Sequence, residues 1–131
     1  MKSHKDGTLP LNGEIWCFGS NQKGVHGAGA AKVARQKFGA KYGVGFGLTG
    51  NSYAIPTKSY AIQTLPLNII KQHVGVFLAH VTNTPDDEYF LTRIGCILAG
   101  YKDAQIAPLF YPPLDNVSYP EPWVKYLTKE E

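Results

Sequence analysis

Metal-binding spacing is missing from this chain. Its two cysteines, Cys17 and Cys96, and four histidines form no C-x-x-C or H-x-x-x-H pair, the spacings that bring ligands to one point. No metal and no cofactor is therefore expected. The first ten residues, MKSHKDGTLP, carry charge but no apolar segment of the signal-peptide kind. A cytoplasmic protein with free, hydrophobe-like thiols is the expectation. No apolar run approaches the roughly twenty residues of a membrane span, which argues against a membrane partner. Strong charge is lacking too. The net charge is +3 and the lysines are scattered along the sequence, unlike the basic stripe of a dedicated nucleic-acid binder.

What the chain does have is apolar residues, 44% of the total, and fourteen glycines. Its 131 residues suit one hydrophobic core. Residues 1–12 read as a flexible lead-in and 13–131 as one domain. Glu14 to Phe18 reads as a buried strand stopping at Gly19-Ser20-Asn21. Ala30, Val33, Ala34 and Phe38 then recur at helical spacing until Gly39. Ser52 to Thr57 is a second strand, which residues 59–63 extend or pair with. Leu67, Ile70, Val74, Phe77, Leu78 and Val81 mark one face of a longer helix. Glu88 to Ile94 is a strand running into Gly95, Lys102 to Leu109 a third helix, and Asn116 to Tyr119 a last strand. Strands alternating with helices predict an α/β domain, whose ligands sit outside the carboxyl ends of the strands.

Two glycine-rich loops follow strands. In the first, Gly19-Ser20-Asn21 leads to Gly27-Ala28-Gly29-Ala30 at a helix start, where small residues admit a phosphate to free N–H groups and the helix dipole. It matches neither G-x-G-x-x-G nor the P-loop, and a tight turn for helix–sheet packing is the other reading. The second, Arg93-Ile94-Gly95-Cys96-Ile97-Leu98-Ala99-Gly100-Tyr101, repeats the logic, with Tyr101 or Phe110 offering a ring to a base or ribose, and core packing as the other reading of Tyr101. Arg93 also suits a structural role, ion-paired with a nearby acid, while Asp86, Asp87 and Glu88 read as a solvated turn. His26, beside the first loop, suits a phosphate contact or proton transfer, or packing against the helix start. Lys58 suits a nucleophile, a phosphate partner or a solvated lysine.

Phe18-Gly19-Ser20-Asn21 with His26-Gly27-Ala28-Gly29-Ala30-Ala31 resembles the macro-domain pattern. Thr92 to Gly100 resembles the second phosphate loop of the terminal ADP-ribose protein glycohydrolase branch, and Tyr53 to Lys58 is similar to that branch's strand ending in Thr-Lys. The three segments occur in family order and span residues 14 to about 101. The chain also resembles small macro-like proteins of phages and prophages. The resemblance implies a three-layer α/β/α fold with a central mixed sheet and ADP-ribose, or a derivative, between the two loops. Asn21 would lie near the distal ribose, Gly27 to Gly29 near the diphosphate, and Gly95 to Gly100 over it. An ADP-ribosylated protein or nucleic acid is the implied macromolecular partner. Lys58 matches the lysine that attacks the anomeric carbon in the glycohydrolase branch. Hydrolysis of ADP-ribosyl groups or of ADP-ribose 1″-phosphate is thus the alternative to binding. The branch's aspartate position, however, falls at Ala99, the acidic position of other hydrolytic macro domains falls at Ala31, and Ile97 replaces a glycine. Proton transfer at the leaving oxygen lacks its expected group, so the comparison favours binding.

Overall fold

The computed structural model describes residues 1–128; residues 129–131, the end of the expected domain, lie outside the described residues. Six strands make one mixed sheet: β1 (Lys2–His4), β2 (Ile15–Asn21), β3 (Gly47–Thr49), β4 (Ser52–Lys58), β5 (Tyr89–Leu91) and β6 (Val117–Pro120). Their spatial order is β1-β6-β5-β2-β4-β3. Every neighbouring pair is parallel except β3 with β4. The helices are α1 (Gly29–Lys37), α2 (Leu67–Thr82), α3 (Asp103–Ile106) and α4 (Val124–Leu127).

The apolar run in β2 reflects burial on both faces, as expected for an inner parallel strand. Successive side chains alternate between faces. Ile15 and Cys17 join a core containing Ile70, Val74, Phe77 and Val81 of α2. Trp16 and Phe18 join a smaller core with Ala31 and Ala34 of α1 and Phe90 of β5. The sheet is therefore flanked by helices on both faces. The α2 side is the larger core, completed by Phe110, Tyr119, Trp123 and Leu127. Residues 111–128 thus finish that core.

Several expectations are corrected by long-range pairing. Residues 1–12 are not wholly a loose lead-in, because Lys2 to His4 pair in parallel with Ser118 to Pro120. His4 Nδ1 lies 2.7 Å from Ser118 Oγ, and the His4 ring stacks on Phe90 with centroids 3.6 Å apart. Residues 59–63 form a turn, closed by the Ser59 N–H on the Gln63 carbonyl at 2.7 Å and by a bridge between Lys58 and Thr64. The strand expected to reach Ile94 ends at Leu91, and the third helix changes to a 3-10 turn over Ala107–Phe110. No helix among the described residues is long and apolar enough to cross a membrane.

Candidate functional site

β2 and β5 are adjacent and parallel, so the loops that follow them leave the same edge of the sheet. A cavity of about 520 Å3 opens between these loops, within the usual range of small-molecule sites. The first loop supplies Gly19, Ser20, Asn21, Gly27, Ala28, Gly29 and Ala30 to its wall. Arg93, Ile94, Gly95, Ile97, Leu98 and Ala99 come from the second, and Lys58 from the end of β4. In the register of the sheet Lys58 stands beside Asn21.

The first loop is fastened by its own backbone. Asn21 Nδ2 donates to the Val25 carbonyl at 2.8 Å, and its Oδ1 accepts from the Val25 N–H at 3.1 Å. This buried amide is a clamp on the loop. Ser20 Oγ donates to the Gly45 carbonyl, and the Gly43 N–H to the Gly24 carbonyl at 2.9 Å. Gly45 is required by close approach: a Cβ there would lie 2.5 Å from the Asn21 carbonyl oxygen and 2.6 Å from that of Gln22.

The loop delivers the chain to α1 with its N-terminus on the cavity wall. No side chain caps this end and no acid lies in its first turn. Its N–H groups and dipole are therefore available to an anion. Gly29 has φ +58, and Leu98 Cδ1 of the opposite loop is 3.1 Å from where its Cβ would sit. The two loops thus meet across the cavity at Gly29 and Leu98.

Four candidate residues lie off the cavity wall. His26 is 2% exposed, edge-on against Phe18, with Nε2 facing the Val44 carbonyl at 3.3 Å. Burial depresses its pKa, partly opposed by that carbonyl. Tyr101 donates its hydroxyl to the Leu65 carbonyl at 2.6 Å and packs against the α2-side core, which takes the packing reading over stacking on a ligand. Cys96 and Gly100 also stay off the wall, and burial, helped by Asp103, pushes the Cys96 thiol up to about 12.

Arg93 takes the structural ion-pair role. Its partners are Asp103, bonded through Nε and Nη2 at 3.0 Å each, and Asp6 at 3.2 Å. Asp103 also accepts from Trp123 Nε1 at 2.7 Å. Burial acts to raise the Asp103 pKa, but the bonds from Arg93, Trp123 and Cys96 overcome it and hold the carboxyl below its usual value. Arg93 therefore joins the segment after β1 to α3.

That segment is what sequence reasoning missed. His4, Asp6, Thr8 and Leu9 line the cavity, together with Trp16 and Phe90. Trp16 stacks with Phe90, centroids 5.6 Å apart, and with Phe38 at 5.0 Å, so part of the wall is aromatic. Lys23 lines the cavity as Lys58 does. Neither is in an ion pair among the described residues. Asp6 is the one carboxylate on the wall among the described residues, and Arg93 engages it. No local signal marks residues 4–9, because only pairing of β1 with β6 carries them here. No protein-family model, curated protein or solved structure matches the chain.

Proposed function

We propose that this cleft binds ADP-ribose or a related ADP-ribose-containing nucleotide. The observation that carries the reading is the uncapped, acid-free N-terminus of α1, which faces the second glycine loop across one cavity. A diphosphate suits those N–H groups. The Trp16–Phe90–His4 wall suits the flat, amphipathic face of a base, and Lys23 and Lys58 add positive charge. A macro-like fold is part of this reading. Helices on both faces of a mixed sheet and a cleft between two glycine loops support it.

Lys58 supports a second reading, since a lysine on the cavity wall without an acid partner suits nucleophilic attack on a sugar carbon. Such cleavage needs a group to move protons. The single carboxylate on the described wall is held by Arg93, and this favours binding without turnover. Titration calorimetry with ADP-ribose, AMP and NAD tests the first reading: saturable binding selective for ADP-ribose is expected. No heat of binding at millimolar ligand would remove it. Release of ADP-ribose from modified protein, abolished in Lys58→Ala, would establish the second.

A further inference from the structure

We propose that the α1 side of the molecule, beside the cleft, is a docking surface for single-stranded nucleic acid. The inference does not rest on the ADP-ribose reading. From Ile15 to Pro85 the chain contains no Asp or Glu, but it holds Lys23, Lys32, Arg35, Lys37, Lys41, Lys58 and Lys71. Four of these cations follow closely on one another: Lys32, Arg35 and Lys37 are exposed on α1, and Lys41 is exposed in the next loop. Among the described residues, none of these four takes part in an ion pair.

Exposed rings are interleaved with this charge. Arg35 lies over the Tyr42 ring, 5.3 Å from its centroid, and Lys23 lies 5.6 Å from that of Tyr60. The bond from Gly43 to Gly24 joins the loop bearing Tyr42 to the loop bearing Lys23. Phe46, 69% exposed, extends from the same loop as Tyr42. Unpaired cations track a phosphate backbone, while exposed rings stack on unpaired bases. A duplex keeps its base faces covered and leaves the rings unused, so the combination selects a single strand.

The test is fluorescence anisotropy with a labelled single-stranded oligodeoxynucleotide of about 16 nucleotides, its duplex, and inorganic polyphosphate as competitor. The intact chain should bind the single strand more tightly than the duplex, with affinity falling as salt rises. Replacing Lys32, Arg35, Lys37 and Lys41 by Gln should weaken binding by about tenfold or more and flatten the salt slope, by about 0.7 per lost phosphate contact. Replacing Tyr42, Phe46 and Tyr60 by Ser should weaken binding at unchanged slope and erase the preference over duplex. The substituted side chains are exposed and off the cavity wall. Unchanged thermal melting would verify the fold, and ADP-ribose titration of each variant would report on the cleft separately. Absence of binding at low salt, equal affinity for duplex, or indifference to the ring substitutions would each overturn the proposal.

Discussion

The two glycine loops reach one cavity by different means. The first is knitted into the fold by the Asn21 clamp, the Gly24–Gly43 bond and the packing of Gly45 against two carbonyls. The second is anchored near its ends, by the Tyr101 N–H on the Gly95 carbonyl and by Thr64 Oγ1 on the Ala99 carbonyl. Between these ties it holds out Ile97 and Leu98, which are 67% and 58% exposed. An array of backbone N–H groups helps a phosphate only if its geometry is fixed before binding. Apolar cover can adjust to what lies beneath it. The first loop is thus built for position and the second for contact.

The largest expected effect comes from breaking the first loop's packing. Gly45→Val should lower the unfolding free energy by about 3 kcal/mol, because packed backbone must move. Urea denaturation measures this; a cost under about 0.5 kcal/mol, typical of a surface change, would mean that the loop yields as easily as the second. Asn21→Ala comes next. It removes both bonds to the part-buried Val25 backbone and should cost about 1–3 kcal/mol, with ligand affinity falling as the N–H array loosens.

The second loop should behave in the opposite way. Ile97→Ser with Leu98→Ser should change stability by no more than about 0.5 kcal/mol. On the proposed reading, it weakens ADP-ribose binding by about tenfold in calorimetry through lost apolar cover. Equal binding by this double variant would show that the loop does not cover the ligand.

Acid separates the loops more gently. His26 lies beneath the first, and burial lowers its pKa, as it does those of His4 and His73. The unfolded chain therefore takes up protons near its ordinary value of 6.5 while the folded chain does not. Stability from these groups is present above about pH 6.5 and declines as pH falls from there toward the depressed folded values. His26→Gln should make that decline shallower, as read from denaturation midpoints at several pH values, whereas the serine variant of the second loop should leave it as it is.

The elements most legible in the sequence were those whose evidence is local. The α2 face was readable because Ile70, Val74, Phe77 and Val81 repeat at helical spacing, and all four are buried. Much of the cavity wall was readable because strand, glycine and helix follow one another directly in each loop. Tyr101 stayed open between stacking and packing because a ring next to a glycine loop carries no sign of which way it points; the bond to Leu65 turns it away from the cleft. The ion-paired role of Arg93 was readable, but not all of its partners were, because Asp6 is 87 residues away yet within bonding reach.

The sequence by itself determined the α/β alternation, the two glycine-rich turns and the stretch without carboxylates, since each depends on neighbours along the chain. Only the tertiary structure decided that residues 4–9 close one side of the cleft, that His26 is buried away from it, and that Lys23 meets the Tyr60 ring. Those outcomes depend on parallel pairing between distant strands, and composition and periodicity carry no information about which strands pair.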